Sequence, residues 1–204
     1  MLAAPLLGEL AERAPGLGLS LRSADYRRVA AILDEDSADL AITARPIGIE
    51  ARHRSEILLH ESFVVLGHKE KLGDQATVSI DRYLAAPHVL VSASGPRGRI
   101  DEVLDELGLK RRVQVVTESF TGLPFLLQSG GLIANIPRQA GFAIAAAHGL
   151  VVRELPFPSP TFPIALSFRT RDQNDARLGW LRLLLRELLG AALSGIRLPA
   201  AGRG

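Results

Sequence analysis

Three hydroxyl side chains stand at alternate positions where a strand gives way to a helix. Thr117, Ser119 and Thr121 lie within residues 113–137, VQVVTESFTGLPFLLQSGGLIANIP, which read as strand, turn, helix, Gly-Gly, strand and Pro. At such a junction, backbone N–H groups and the helix dipole converge on small anions and polar ligands. The segment holds no obvious catalytic side chain, so the pattern predicts ligand binding.

The elements that must position this turn alternate between helix and strand along the chain. Apolar spacing, capping residues and Gly or Pro breaks delimit them. The predicted elements are a helix from Leu2 to about Pro15, a strand Leu17–Leu21, a helix over Val29–Leu33 capped by Asp25, strands Asp39–Thr43 and Ile57–Leu66, a loop His68–Thr77, a helical turn Ile80–Leu84, a strand His88–Val91, a helix Ile100–Leu107, strands Val113–Val116 and Leu132–Ile136, helices Gly122–Ser129 and Arg138–His148, strands Val151–Leu155 and Ile164–Phe168, and a last helix over about Asp175–Leu193 capped near Asn174. This alternation predicts an α/β fold with a largely parallel sheet.

Composition removes several classes of function. The 204 residues carry 24 basic and 22 acidic side chains, which gives no basic face for nucleic acid, and the absence of Cys excludes disulfides and thiolate metal sites. No apolar run reaches the length of a membrane span, and the N-terminus is a poor signal peptide. His53, His60 and His68 share no helix or strand face, and common hydrolase, P-loop and metalloprotease motifs are absent. The sequence predicts no enzyme, no metal and no cofactor.

The ordered set of these pieces resembles the effector-binding region of LysR-type transcriptional regulators. The resemblance covers about Leu2–Leu189, and Lys69 stands where the family usually has proline. The segments that carry it are Glu12–Gly16, Asp39–Ile42, Ser62–His68, Leu127–Pro137 with its pair Gly130-Gly131, and Asp172–Leu181.

The resemblance implies a two-lobed, periplasmic-binding-protein-like (type II) α/β fold with the ligand in a cleft between the lobes. It assigns residues 1–69 and 166–195 to lobe I and residues 70–165 to lobe II, and we expect residues 196–204 to form a disordered tail. The family's first strand of lobe I and its winged helix-turn-helix domain have no counterpart in this sequence. We therefore expect a truncated product or a misassigned start, and DNA contact only through the absent domain.

In this family the ligand lies at the carboxyl ends of strands from both lobes, and three loops of this chain qualify. They are Ser119-Phe120-Thr121, Ser92-Ala93-Ser94-Gly95 and Thr43-Ala44-Arg45. The hydroxyls can donate to a carboxylate, and Arg45 or Arg97 can form a bidentate pair with it. Phe120 can cover an aromatic ring.

Each of these residues also has a structural interpretation. Ser and Thr before a helix are often simple N-caps. Phe120 can belong to the core, Arg45 and Arg97 can be solvated, and Asn135 can make a structural hydrogen bond within its apolar strand.

The resemblance therefore implies the effector-binding regulatory domain of a bacterial transcription factor, cytoplasmic, without a membrane, and sensing a small organic acid. Within the family, His88–Asp101 and Arg111–Pro124 look closest to the branch of nodulation and aromatic-degradation regulators, which implies an aromatic acid or a flavonoid-like effector. It further implies a homodimer, or a tetramer of the full-length form, joined through the opening helix (Leu6, Leu7, Leu10) and through Ile100–Leu107. The alternative is a solute-binding protein of a transport system with the same fold, and an enzyme on that fold ranks third.

Overall fold

The computed structural model describes residues 3–23, 25–44, 48–92 and 95–195, without the side chains of residues 129, 130 and 192–195. The chain divides into two compact units. Unit 1 holds Met1–His60 and Phe162–Gly204, and unit 2 holds Glu61–Thr161. The sequence-based boundaries lay at 69/70 and 165/166. Arg45, Ser94 and the predicted tail at 196–204 lie outside the described residues.

Eight α-helices and seven strands account for the described secondary structure, together with two short 3-10 turns. In chain order these are α1 (Ala3–Arg13), a 3-10 turn (Tyr26–Arg28), α2 (Val29–Asp34), β1 (Leu40–Ala44), β2 (His53–Gly67), α3 (Lys69–Leu72), α4 (Ile80–Ala85), β3 (Pro87–Val91), α5 (Arg99–Glu106), β4 (Arg112–Thr117), α6 (Leu123–Gly130), β5 (Ile133–Pro137), α7 (Arg138–His148), β6 (Val151–Arg153), β7 (Thr161–Arg169), a second 3-10 turn (Thr170–Asp172) and α8 (Ala176–Gly195). Among the described residues, no helix combines the length and the apolarity needed to cross a membrane.

Unit 1 is built on three strands, with β7 between β1 and the first part of β2. β1 and β7 run antiparallel, with Leu40 opposite Phe168. Helices α1 and α8 pack together on this sheet through a buried cluster that includes Leu6, Leu10 and Leu184. Burial of such aliphatic side chains is the main source of the stability of this unit.

The predicted strand Leu17–Leu21 is wrong, because this segment is irregular in the structure. Leu19 packs against the core cluster of unit 1, whereas Leu17 and Leu21 are exposed. A strand satisfies its backbone N–H and C=O groups only when a neighbouring strand pairs with them. None of the described strands pairs with this segment, so its alternation of leucines produces no strand.

Unit 2 contains a five-stranded sheet in which β2 lies between β6 and β5, followed by β3 and β4. β3 is parallel to both β4 and β5, but β2 is antiparallel to β5 and β6. The prediction of a largely parallel sheet is therefore wrong. β2 is one continuous strand that enters from unit 1, and its direction is opposite to that of β5.

The helices of unit 2 cover both faces of this sheet. Residues Ile100 and Leu104 of α5 pack with Tyr83 and Ile133 on one face. On the other face, α6 and α7 pack against β2 and β5 through a second buried cluster. α3 interrupts the expected loop at His68–Thr77. The cap of α8, predicted near Asn174, is Asp175, which accepts the Leu178 N–H.

Candidate ligand-binding site

Two of the predicted ligand loops meet at one edge of unit 2. Ser92 directly follows β3, and Thr117 is the last residue of its parallel neighbour β4. The Ser92 N–H donates to the Thr117 carbonyl oxygen at 2.8 Å. This bond joins the start of the 92–98 loop to the start of the Ser119–Thr121 turn.

The chain leaves β3 and β4 toward opposite faces of the sheet. After β3 it continues to α5, which packs with Ile133 and Tyr83, whereas after β4 it continues to α6, which packs with Ala134 and Ile136. Adjacent parallel strands whose connections diverge in this way leave a crevice outside their carboxyl ends, where open α/β sheets bind ligands. Ser92 and the Ser119–Thr121 turn belong to the segments that follow β3 and β4.

The Ser119–Thr121 turn is held by its own hydroxyl groups. The Thr117 Oγ1 accepts the Ser119 N–H at 3.4 Å, and the Ser119 Oγ accepts the Thr121 N–H at 3.1 Å. These are the local caps that the structural interpretation anticipated. A hydroxyl oxygen that accepts a backbone N–H still has a proton to donate. The Phe120 ring between them is 41% exposed, so it is not a core residue.

The N-terminus of α6 offers less positive potential than the sequence predicted. Its N-cap is Gly122, which provides no side-chain cap, and Pro124 in the first turn has no N–H. The Leu123 N–H already donates to the Phe120 carbonyl oxygen at 3.2 Å. Fewer N–H donors are therefore available at this helix than expected, and the hydroxyls of the turn are polar groups that add to them.

The N-terminus of α5 is occupied by a carboxylate of the chain itself. The Asp101 Oδ2 accepts the Gly98 N–H at 2.7 Å, so the negative charge lies where the helix dipole would attract an anion. Arg97 on the same loop forms an exposed ion pair with Asp105, which fits the solvated interpretation. The Asp101 carboxylate thus reduces the positive potential that was predicted for this helix terminus, and anion binding there stays a prediction.

The remaining predicted residues are placed as follows. Thr43 lies in β1 of unit 1, and its Oγ1 is a buried atom without a hydrogen-bond partner among the described residues. Gly95 has a φ of +113°, a conformation that side-chain-bearing residues rarely adopt, and it faces open space. Within residues 3–23, 25–44, 48–92 and 95–195, no group of three His, Asp or Glu side chains could hold a metal ion.

A buried polar network at the start of α5 was not predicted from the sequence. The Arg111 guanidinium donates to both carboxylate oxygens of Asp101 at 2.7 and 2.8 Å and to the Asn135 Oδ1 at 2.5 Å. The Tyr83 hydroxyl donates to the same Asn135 oxygen at 2.8 Å. Asn135 therefore makes structural hydrogen bonds. Asp101 at the third position of α5 was the available signal, since acidic residues there often cap helices.

Burial and charge set the ionisation of this network. Burial raises the pKa of Tyr83 to about 12 and lowers the pKa of His88 to about 4. Burial alone would raise the pKa of Asp101, but the hydrogen bonds and charge of Arg111 and the Gly98 N–H outweigh it and hold that pKa below its usual range. At neutral pH Asp101 is thus a carboxylate, and His88, whose Nε2 lies 2.9 Å from the Tyr83 carbonyl oxygen, is a neutral imidazole.

Comparison with known proteins identifies similar chains. The family model described as LysR substrate binding domain matches residues 1–190. The HTH-type transcriptional activator NagR of Ralstonia sp is 25% identical over 92% of this chain and 62% of its own length, and Nodulation protein D 2 of Rhizobium tropici is 30% identical over 80% of this chain and 54% of its own length. The chain thus spans little more than half the length of such relatives.

Solved structures give the same result for the fold. The regulatory domain of MexT, a transcriptional activator in Pseudomonas aeruginosa, superimposes with a TM-score of 0.79 at 30% identity, over 92% of this chain and 90% of that one. NagR and MexT are both described as transcriptional activators. These similarities favour a regulator over the solute-binding protein that was the alternative.

Proposed function

Because the chain belongs to the LysR substrate-binding domain family, we propose that it senses a small organic effector for a bacterial LysR-type transcriptional regulator. Its fold is the two-lobed, type II periplasmic-binding-protein-like α/β fold of such regulatory domains. The effector is a small organic acid, and the branch resemblance favours an aromatic acid or a flavonoid-like compound. In this proposal the chain binds and does not catalyse, it acts in the cytoplasm, and DNA is contacted by a winged helix-turn-helix domain outside this sequence.

The main support for this site is that the chain leaves β3 and β4 toward opposite faces of the sheet. It supports an effector site at Ser92 and at the Ser119–Thr121 turn, where the hydroxyls donate to the effector and the exposed Phe120 ring stacks on it. Gly95 allows a close approach of backbone. Thr43, Arg45 and Ser94 remain proposed ligand residues. Thr43 is supported by its buried Oγ1, which has no hydrogen-bond partner among the described residues.

A thermal-shift screen of the purified chain tests the effector class. The panel contains benzoate, hydroxylated benzoates, small aliphatic acids and flavones. A compound that binds only the folded state stabilises it by about 2.7 kcal/mol at 100 times its Kd. We expect aromatic acids or flavones to raise Tm and aliphatic acids of similar charge to raise it less. A panel without any shift would contradict the proposal.

Replacing Ser119 or Thr121 with Ala is expected to weaken binding of the active panel compound about fivefold or more. The reason is the loss of a hydroxyl donor, worth about 1 kcal/mol when it bonds a neutral partner and more for a charged one. Isothermal titration of each variant measures the change in Kd.

Ser79→Ala is the matched control for Ser119→Ala. The Ser79 Oγ also accepts a backbone N–H, that of Arg82 at 3.4 Å, but at the start of α4 away from the turn. Both variants lose a comparable capping bond. An equal loss of binding in Ser79→Ala, or unchanged Kd in both Ser119→Ala and Thr121→Ala, would remove the turn from the site.

We also propose that the chain forms a homodimer, although its predicted contact residues need correction. Leu6, Leu10, Ile100 and Leu104 are buried within their own units. The large apolar residues that α1 and the end of α5 expose are Leu7 and Leu107, at 53% and 49%. Burial of exposed leucines is a common source of association energy, so these two are the proposed contacts.

Leu7→Glu and Leu107→Glu are expected to raise the dimer dissociation constant at least tenfold each, because each places a charge in an apolar contact. Sedimentation equilibrium over a range of concentrations measures the constant. Leu183→Glu on α8 is the control, since Leu183 is also exposed but lies outside the proposed contact. A monomeric wild-type chain at high concentration, or an equal effect of Leu183→Glu, would contradict the assignment.

A further inference from the structure

We propose that Arg111 is a positioning residue that fixes Gly98, where the 92–98 loop meets α5, and thereby sets effector affinity. This inference rests on the proposed effector site at Ser92 and the Ser119–Thr121 turn. The Arg111 side chain is only 1% exposed, and it contacts other protein groups through all of its described hydrogen bonds.

The far end of the loop is attached to the Arg111 ion pair. Both Asp101 carboxylate oxygens accept from the Arg111 guanidinium, and the Oδ2 accepts the Gly98 N–H as well. Gly98 is the residue at which the loop ends and α5 begins. The rotamer of Asp101, and with it the position of the Gly98 backbone, therefore depends on the guanidinium.

The near end of the loop is attached to β4, the strand that begins one residue after Arg111. Ser92 is held by the Thr117 carbonyl oxygen, and Thr117 also starts the Ser119–Thr121 turn. The bond at Ser92 is made by β4 and involves no atom of the Arg111 side chain. A change at Arg111 therefore acts on Gly98 through Asp101, while the bond at Ser92 holds the other end in place.

The planar guanidinium is what allows one side chain to do this. It donates hydrogen bonds to Asp101 from Nε and Nη2 and to the Asn135 Oδ1 from Nη1. One side chain thus binds Asp101 in α5 and Asn135 in β5 at the same time. A lysine ammonium is a point charge without this fork. Arg111→Lys keeps the charge beside Asp101 but removes the simultaneous hydrogen bonds to Asp101 and Asn135.

The test compares Arg111→Lys with Arg138→Lys. Arg138 also makes a bidentate pair, with Glu154 at 2.7 and 2.6 Å, elsewhere in unit 2, and this pair is more exposed than that of Arg111. Amide hydrogen exchange is measured by NMR on the chain without added compounds, and the Kd for benzoate is measured by titration. We expect the Gly98 amide to exchange at least tenfold faster in Arg111→Lys and benzoate to bind at least fivefold more weakly, with both values within twofold of wild type in Arg138→Lys.

Asp101→Asn provides a second variant if Arg111→Lys fails to fold, and the same two changes are expected. A Gly98 amide that exchanges no faster overturns the positioning role whether or not benzoate binds. Faster exchange with an unchanged benzoate Kd, or an equal loss of binding in Arg138→Lys, also overturns it, because the pair would then serve stability alone. If no panel compound binds the wild-type chain, the effector proposal fails, and the exchange of Gly98 alone decides whether Arg111 holds the loop.

Discussion

Replacing Arg111 with Met is expected to lower the free energy of unfolding by about 3–5 kcal/mol, the usual consequence of removing one partner of a buried ion pair. The side chains of Arg111 and Asp101 are almost fully buried. Without the guanidinium, the Asp101 carboxylate keeps the Gly98 N–H but loses its counter-ion, and Asn135 loses a donor to its Oδ1. Urea denaturation followed by circular dichroism measures the loss.

Arg97→Met is the control for this change. Arg97 also pairs with an aspartate of α5, Asp105, but both side chains are largely exposed. Exposed pairs contribute about 0–1 kcal/mol, so this variant should stay close to wild type. Similar losses of unfolding free energy in Arg97→Met and Arg111→Met would mean that removal of a charge, and not its burial, determines the effect.

The double variant Asp101→Leu with Arg111→Met distinguishes the cost of an unpaired Asp101 carboxylate from the contribution of the ion pair as a whole. Apolar replacement of both members of a buried pair is often close to neutral. Here we expect recovery of most of the loss, but not all, because Gly98 then lacks its acceptor. A double variant as unstable as Arg111→Met alone would contradict the argument from the uncompensated carboxylate.

The elements whose signals are local were predictable from sequence. Helix α7 begins and ends at the predicted Arg138 and His148, and β3 differs from prediction by one residue. The strand predicted over Leu17–Leu21 is wrong because its formation is not a local property. A strand needs a neighbouring strand to pair with, and the residues of the segment itself do not specify that partner. The direction of β2 relative to β5 was likewise a property of chain path and not of apolar pattern.

The candidate site was predictable to a similar degree. Hydroxyl residues after β3 and β4 were named from their positions next to strands, and the Ser92 to Thr117 bond brings them together. The Asp101 to Arg111 pair could not be named, because the two residues are separated by the end of α5 and only the fold makes them neighbours. Local sequence also suggested anion-binding helix ends, whereas Pro124 and the Asp101 carboxylate reduce that potential.

Stability is expected to fall by about 3 kcal/mol between pH 6.5 and pH 4 because of His88 alone. The ordinary pKa of 6.5 applies in the unfolded chain, and burial lowers it to about 4 in the folded protein. Between these values the unfolded chain binds more protons, so acid favours unfolding there, at about 1.4 kcal/mol for each unit of difference. Well above pH 6.5 both states are neutral and this contribution to the pH dependence vanishes.

The surroundings of His88 explain why the folded protein resists its protonation. The Nε2 lies 2.9 Å from the Tyr83 carbonyl oxygen and carries the proton of the neutral ring, while the Nδ1 is buried without a partner among the described residues. A second proton would thus be added at Nδ1, where no described group accepts a hydrogen bond from it. The charged groups near the ring are Arg111, which opposes protonation, and Asp101, which favours it.

Urea denaturation at several pH values between 4 and 7 tests this prediction. His88→Gln keeps an N–H donor for the Tyr83 carbonyl but removes the titration, so its stability should vary much less over this interval. Asp101 contributes in a separate interval, because its folded pKa lies below 3.8 and its effect is lost at still lower pH. A His88→Gln variant with the wild-type slope would show that other groups cause the acid sensitivity.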